Sequence, residues 1–305
     1  MSSIAGVSEV LLTKEYRRFA EFCDACRRYR YIGICYGSPG VGKTLSAQYY
    51  ANWPKVDAYW PFVWTSPAAL GEIMGNTTVF YTPKVVNAPG HIARDIQALR
   101  DRLRALHWEE QRQQAEAVPR RPSATNDRWE DHPLQQDLTR MAFMRAQVVK
   151  AYVQNCLETA DPTSLLIIDE TDRLKPAGLE QVRDIFDAGD LGMVLLGMPG
   201  LEKRLSRYPQ LYSRVGFVHE FRPLSAEEVH DLLAHRWIPS GVVLPEEGWT
   251  DDTVLAAIIR ITGGNFRLLH RLLTQIARVV EINALSQVTR EVVEAARESL
   301  VIGTV

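Results

Sequence analysis

The stretch Gly37-Ser-Pro-Gly-Val-Gly-Lys-Thr44 decides the fold of this chain. It follows a short apolar run at 31–36 that is typical of a buried strand, and a helical pattern begins at Lys43. The glycines allow backbone conformations that turn several N–H groups onto phosphate oxygens, and the positive end of the following helix faces the same anion. Strand, loop and helix in this order predict a phosphate-binding loop. Its members are Gly37, Ser38, Pro39, Gly40, Val41, Gly42, Lys43 and Thr44.

A second motif, Leu165-Leu-Ile-Ile-Asp-Glu170, ends an apolar strand in two carboxylates, which we expect to be exposed in a ligand crevice. We expect Lys43 to reach the β- and γ-phosphates of a nucleotide, and Thr44 and Asp169 to bind Mg²⁺. Glu170 is then placed to polarise a water for attack on the γ-phosphate. Taken alone, the two motifs could be a glycine-rich turn with a chance lysine and an acidic helix cap. Together they favour a site for ATP hydrolysis.

Strands and helical patterns alternate along most of the chain, which predicts a mainly parallel sheet covered by helices on both faces. The expected strands are 31–36, 78–82, 165–169, 193–196 and 217–221. Helices are expected at 13–29, from 43, at 91–117 and at 134–157, with a proline-containing loop at 118–133.

The strand patterns stop after Phe221, and Ser225 with Glu228 forms a capping box that opens a helix through Trp237. Three further helices fit 251–262, 265–281 and 289–300. The chain therefore divides into an N-terminal helical segment (1–30), an α/β nucleotide-binding core (31–222) and a small all-helical lid domain (223–305). A helical insertion and loop near 89–162 interrupt the core.

Composition limits the class of protein. The chain has 305 residues, 46% of them hydrophobic, which excludes a wholly disordered protein and suggests about two domains. A net charge of −2 excludes a uniformly basic nucleic-acid binder, so any DNA contact must come from a local patch. No apolar run approaches the roughly 18–20 residues needed to span a bilayer, and no secretory signal is evident. With only four cysteines, a cytoplasmic location is expected, and Cys23 and Cys26 are interpreted as core residues of a helix.

Two arginines and a methionine occupy positions where a side chain could contact the nucleotide phosphates. Arg214 precedes the last strand, where a subunit edge is expected, and is either an arginine finger supplied in trans or a solvated arginine. Arg267 lies in the first turn of a helix, where a cation opposes the helix dipole, so an anionic ligand is expected nearby. Met198 follows the strand that should lie beside the phosphate-loop strand, where a polar side chain could contact the γ-phosphate. Methionine cannot donate that hydrogen bond.

These motifs together resemble those of the AAA+ ATPases over most of the chain. The stretches Ile167–Pro176 and Gly264–Arg267 look most like the TniB/TnsC/MuB-type transposition regulators, with ExeA-type secretion ATPases as more distant relatives. The resemblance implies a P-loop AAA+ three-layer α/β core with a parallel sheet, a helical lid, and ATP with Mg²⁺. It also implies that 37–44 are the Walker A motif and that 169–170 are Walker B. Arg214 would be the finger, Arg267 sensor 2, and Met198 a departure from the usual polar sensor 1.

The resemblance further implies an oligomer, a ring or a helical filament, that assembles on double-stranded DNA and recruits and stimulates a transposase. The family's DNA contacts lie near the second core strand, which here points to Tyr81, Thr82 and Lys84, although Lys84 could equally be an ordinary exposed lysine. A target-selection protein is a further candidate partner, and no membrane contact is expected.

Two alternatives remain open. A secretion or cell-envelope ATPase would be supported by a transmembrane or wall-binding segment. A nucleotide-gated switch that binds partners and barely hydrolyses ATP would fit Met198.

Overall fold

The computed structural model describes residues 13–59, 67–116, 150, 154–155, 158–235, 237–239, 241–245 and 251–300. The predicted loop at 118–133 and nearly all of the predicted helix at 134–157 lie outside the described residues. The remaining predicted elements fall within them.

A five-stranded parallel sheet forms the centre of the fold, in the order β2-β3-β4-β1-β5. The strands are β1 (Ile32–Tyr36), β2 (Thr78–Tyr81), β3 (Leu165–Ile168), β4 (Gly192–Gly197) and β5 (Val215–Glu220). The predicted position of the Met193 strand beside the phosphate-loop strand is confirmed, because Ile32 pairs with Met193. In this order the carboxyl ends of β3, β4 and β1 meet at one edge, and ligands of open α/β sheets bind at such an edge.

Helices cover the sheet, and four more follow it in the chain. The first group is α1 (Lys14–Tyr29), α2 (Lys43–Tyr50), α3 (Trp53–Ala58), α4 (Pro67–Gly71), α5 (Pro89–Glu116), α6 (Pro176–Ala188), α7 (Leu201–Leu205) and α8 (Pro209–Tyr212). The second group, which we call the lid, is α9 (Ala226–Ala234), α10 (Asp252–Thr262), α11 (Phe266–Ile282) and α12 (Arg290–Glu298). The α/β architecture predicted from the sequence is therefore confirmed.

One helix ends earlier than its sequence pattern indicates. The capping box of Ser225 and Glu228 opens α9 as predicted, but the helix ends at Ala234 instead of continuing through Trp237. Pro239 follows closely, and proline cannot continue a helix. Trp237 packs instead against the ring of Phe266, with centroids 5.1 Å apart.

Buried apolar residues form two clusters, one around the sheet and one within the lid. The predicted N-terminal segment belongs to the first, because Phe19, Cys23 and Cys26 of α1 are fully buried in it. Core packing of the two cysteines is thus confirmed. The chain passes from one cluster to the other between Phe221 and Leu224. The domain boundary at 222 itself stays a prediction. In the described parts of the chain, no helix is long and apolar enough to cross a membrane.

Candidate functional site

The loop after β1 has the backbone that its glycines permit. Gly40 and Gly42 have φ of 84° and 110°, in the left-handed region that L side chains rarely adopt. At Gly37 a Cβ atom would lie 2.3 Å from the carbonyl oxygen of Phe221, so a larger residue has no room. The loop therefore turns directly into α2, which begins at Lys43.

The Lys43 ammonium group folds back over this loop. Its Nζ donates to the carbonyl oxygens of Gly37 (2.6 Å) and Ser38 (2.9 Å). Burial lowers the pKa of Lys43. A partly buried cation bound only to neutral carbonyls is suited to exchange them for an anionic ligand.

Thr44 and Asp169 meet across the cleft, from the start of α2 and the end of β3. Thr44 Oγ1 donates to Asp169 Oδ2 at 2.7 Å, and the N–H of Glu170 donates to Asp169 Oδ1 at 2.8 Å. The predicted exposure of Asp169 is wrong, since the residue is 3% exposed. The two donors, one on each carboxylate oxygen, compensate for the water that this buried carboxylate loses.

Glu170 occupies an unusual conformation. Its φ is 44° and its ψ is 44°, a left-handed conformation that is uncommon for a residue with a Cβ and that clusters at functional sites. Its carboxylate is ion-paired with Arg173, whose Nη1 also donates to the carbonyl oxygen of Pro83 at 3.1 Å. Sequence reasoning missed Arg173, although its position three residues after Glu170 is a usable signal for an ion pair.

Met198 stands beside these carboxylates at the end of β4 and is 41% exposed. A backbone N–H at this end of β4 is the group that could replace the missing polar side chain. The N–H of Met198 donates to Asp172 Oδ2 at 2.7 Å, so that donor is engaged within the chain. A Cβ at Gly197 would lie 2.6 Å from the same oxygen, which explains the glycine.

The lid touches the phosphate-binding loop directly. Asn265 caps α11 through its side-chain oxygen and donates from Nδ2 to the carbonyl oxygen of Pro39 at 2.8 Å. The N–H of Arg267 donates to the carbonyl oxygen of Gly40 at 3.0 Å. The first turn of α11 is thereby fixed against the loop, and the Arg267 side chain lines the same cleft.

The cleft between the sheet edge and α11 has a volume of about 760 Å³. Of the predicted nucleotide-site residues, it is lined by Pro39, Gly40, Gly42, Lys43, Thr44, Asp169, Glu170 and Arg267. Gly37 and Ser38 lie behind it and hold Lys43, while Val41 is buried and lines a small neighbouring cavity. Its charged lining comprises three acids with Arg173 on the sheet side, and Arg267 and Arg271 on the lid side.

Arg214 lies away from this cleft. It precedes β5, an edge strand of the described sheet, and its carbonyl accepts from Ile32 at the start of β1, so it lies near the amino ends of the strands. Its guanidinium binds the carboxylate of Asp187, with Nη2 to Oδ2 at 2.7 Å, and this hydrogen bond lowers the pKa of Asp187. Its role as a finger stays a prediction.

The residues predicted to contact DNA are only partly accessible. Tyr81 is 5% exposed, and burial raises its pKa to about 12, so the structure argues against a DNA contact by this side chain. Thr82 and Lys84 are exposed. Lys84 Nζ lies 3.1 Å from Asp95 Oδ2, so its charge already has a partner.

A parallel sheet, a glycine-rich phosphate-binding loop and a paired threonine and aspartate define a P-loop nucleotide-binding protein. A family model described as AAA domain matches residues 26–205, which is more than half of the chain. This chain therefore belongs to the AAA domain family. A protein of Staphylococcus aureus described as "Potential ATP-binding protein" is 42% identical over 299 residues, covering 95% of this chain and 96% of that protein. ATP binding follows from the family and the site together.

Solved structures share the fold. The Thermotoga maritima RuvB Holliday junction branch migration motor matches with a TM-score of 0.50 and 14% identity, over 95% of this chain and 69% of that one. Aeropyrum pernix ORC2, in ADPNP–ADP complexes, matches with a TM-score of 0.51 and 17% identity, over 97% of this chain and 70% of that one. Aeropyrum pernix ORC1 in complex with DNA matches with a TM-score of 0.50 and 20% identity, over 95% of this chain and 66% of that one. At these identities the likeness concerns the fold alone.

Proposed function

We propose that this chain hydrolyses ATP in a Mg²⁺-dependent reaction at the cleft between the sheet edge and α11. The observation that carries the proposal is the 2.7 Å contact between Thr44 Oγ1 and Asp169 Oδ2. It places a hydroxyl and a carboxylate together beside the phosphate-binding loop. Mg²⁺ prefers such hard oxygen ligands and usually takes one or two carboxylates together with substrate phosphates. The described residues contain no group of three or more His, Cys, Asp or Glu that could hold a metal by itself.

We assign a role to each side chain that its position supports. Lys43 exchanges its carbonyl partners for the β- and γ-phosphates, and Thr44 and Asp169 hold Mg²⁺. The metal supplies positive charge where negative charge develops on the phosphates. Glu170 orients and deprotonates the attacking water once its carboxylate is released from Arg173.

Phosphate release from ATP tests this proposal. We expect the wild-type chain to release phosphate with Mg²⁺ and not with excess EDTA. Lys43→Ala should lose nucleotide binding, because its ammonium provides the charge within the loop. Phosphate release by Lys43→Ala at the wild-type rate would contradict the proposal.

We further propose that the chain works as an oligomer, a ring or a helical filament on double-stranded DNA, that recruits and stimulates a transposase. Three things support this proposal. They are the resemblance of Ile167–Pro176 and Gly264–Arg267 to transposition regulators, the shared fold of proteins described as a Holliday junction motor and as a DNA complex, and the exposed Thr82 and Lys84 beyond β2. A weak contact in each subunit becomes strong binding when many subunits line one duplex.

Filter binding of duplex DNA tests this second proposal. We expect binding that a non-hydrolysable ATP analogue strengthens and that salt weakens. The variants Thr82→Ala and Lys84→Ala should each bind DNA more weakly than wild type. The control is Lys55→Ala, because Lys55 is also an exposed lysine with an acidic partner, Glu72, and this variant should keep the wild-type affinity for DNA. If the protein bound no duplex DNA either with or without the analogue, the proposed DNA binding would be wrong.

Met198 supports a second candidate function, that of a nucleotide-gated switch that binds partners and barely hydrolyses ATP. Its side chain cannot donate to the γ-phosphate, and its own N–H donates to Asp172 Oδ2. Tight ATP binding with no turnover, even with DNA present, would favour the switch over the ATPase.

A further inference from the structure

We infer that Gln48, on the helix that follows the phosphate-binding loop, is a positioning residue that accepts a hydrogen bond from a water bound to Mg²⁺. The inference rests on the proposed function, because it concerns the metal that accompanies ATP in the cleft. It adds to Thr44 and Asp169 a third side chain, which acts on the metal through water.

Gln48 lies on the face of α2 that carries Thr44 into the cleft. The two residues are four positions apart on one helix, so their Cβ atoms are about 5–6 Å apart. Both side chains line the cleft, together with Asp169 and Glu170 beyond the end of β3. The longer glutamine side chain therefore reaches the space beside the Thr44 hydroxyl.

The amide of Gln48 is free to bind a water. The other polar side chains that line the cleft outside the lid are engaged within the chain, and they are Lys43, Thr44, Asp169, Glu170, Asp172 and Arg173. Gln48 is half-buried, and its side chain has no hydrogen bond or ion pair among the residues that the structure describes. A half-buried amide without a protein partner is a favourable place for an ordered water.

Mg²⁺ at this site needs partners beyond its direct ligands. It takes an octahedral set of oxygens and usually keeps several waters, because it dehydrates reluctantly. Thr44 and Asp169 are the side chains that we propose as direct ligands, so waters fill the positions that they and the phosphates leave. The groups that accept hydrogen bonds from such waters orient the ligands of the metal.

Gln48 suits this role better than the neighbouring acids. Glu170 is assigned to the attacking water, and Asp172 Oδ2 accepts from the N–H of Met198 at 2.7 Å. An amide oxygen accepts a hydrogen bond without carrying a charge, so it adds no repulsion to the phosphates. Gln48 therefore provides an acceptor for the metal-bound water without opposing the nucleotide.

Nucleotide binding with and without the metal tests the inference on the full-length chain. Calorimetry gives the Kd of a non-hydrolysable ATP analogue in excess EDTA and in Mg²⁺, and the ratio of the first value to the second measures how strongly the site couples metal and nucleotide. Gln48→Met, which keeps the length but lacks the acceptor, should lower this ratio about tenfold, as for the loss of a partner of a metal ligand. Its Kd in EDTA should stay within about twofold of wild type, because the metal is absent there.

The variant Gln48→Glu distinguishes an acceptor oxygen from simple packing. A carboxylate accepts the same hydrogen bond, so this variant should keep the wild-type ratio or raise it. Gln181→Met is the matched control, because Gln181 is a half-buried glutamine of α6 that does not line the cleft. It should leave both Kd values unchanged, and thermal unfolding should show that all variants are folded.

Two results would overturn the inference and leave the nucleotide site intact. One is a wild-type ratio in Gln48→Met, and the other is an equal fall of the ratio in Gln48→Met and Gln48→Glu. If the wild-type chain bound no analogue, or bound it equally in Mg²⁺ and in EDTA, the proposed function itself would be wrong.

Discussion

At the scale of single residues, Gly264 joins the lid to the chain segment that follows the sheet. Its φ is 74°, and a Cβ atom there would lie 1.9 Å from the carbonyl oxygen of Leu224. The N–H of Leu224 also donates to the carbonyl oxygen of Gly264 at 3.0 Å. The preceding Gly263 has φ of 53°, but a Cβ atom there would meet no heavy atom of the described residues within 4 Å. A substitution at Gly263 therefore tests the left-handed backbone alone, whereas one at Gly264 tests the backbone together with the close contact to Leu224.

We predict that Gly264→Ala destabilises the protein more than Gly263→Ala. Gly263→Ala adds only the cost of a left-handed alanine, about 1–2 kcal/mol. Gly264→Ala adds a clash with backbone, so its loss should reach about 3 kcal/mol or more. Urea unfolding of both variants measures the difference. Equal losses would show that the contact with Leu224 is not close in solution.

At the scale of elements, α1 and β5 enclose a buried acid and a buried imidazole. Glu15 Oε1 lies 2.9 Å from His219 Nε2, and the two side chains are 6% and 14% exposed. The imidazole is surrounded by the rings of Phe19, Phe22 and Phe221. Burial lowers the pKa of His219 from 6.5, while Glu15 opposes that change. The neutral imidazole is therefore favoured at this junction.

We predict that acid weakens this junction. Because the folded-state pKa of His219 is depressed, the unfolded chain takes up a proton first as the pH falls below about 6.5. The free energy of unfolding should therefore decrease between pH 7.5 and pH 5.5. His219→Gln, which replaces the imidazole with a side chain that does not titrate, should show a smaller decrease in urea unfolding. A decrease as large as that of wild type would assign the pH dependence to other groups.

Sequence patterns predicted the strands and the approximate bounds of α1, α5 and the last three lid helices, because burial periodicity and capping residues are local properties. They also predicted that Lys43, Thr44 and Asp169 lie in one site, because the carboxyl ends of parallel strands meet at the same edge of a sheet. They did not predict the burial of Asp169 or the early end of α9. These features depend on contacts between distant segments, which spacing alone does not encode. The same holds for Arg204, which donates to backbone carbonyls of the turn after Glu170.

At the scale of the whole molecule, Arg214 and the cleft lie at opposite ends of the sheet. Arg214 precedes β5, whereas the cleft lies beyond the carboxyl ends of the strands, and a six-residue strand spans about 20 Å. Arg214 therefore cannot serve the nucleotide of its own subunit. Its position before an edge strand fits a role at the nucleotide of a neighbouring copy, after release from Asp187.

We predict that Arg214→Ala lowers ATP turnover by about 10³-fold or more, the effect of removing an arginine finger. Mixing it with Glu170→Gln subunits should restore turnover, because those subunits supply Arg214 to the intact sites. The control mixes Arg214→Ala with the double variant Arg214→Ala/Glu170→Gln, which should restore nothing. A first mixture as inactive as Arg214→Ala alone would show that Arg214 does not act in trans.

The central claim is that Glu170 activates the water while Lys43 binds the phosphates and Thr44 and Asp169 hold Mg²⁺. Single-turnover hydrolysis and ATP binding by Glu170→Gln test it most directly. The account predicts ATP affinity within about threefold of wild type and hydrolysis slower by about 10²–10⁴-fold, the range for removal of a general base. Hydrolysis by Glu170→Gln at the wild-type rate would contradict the account.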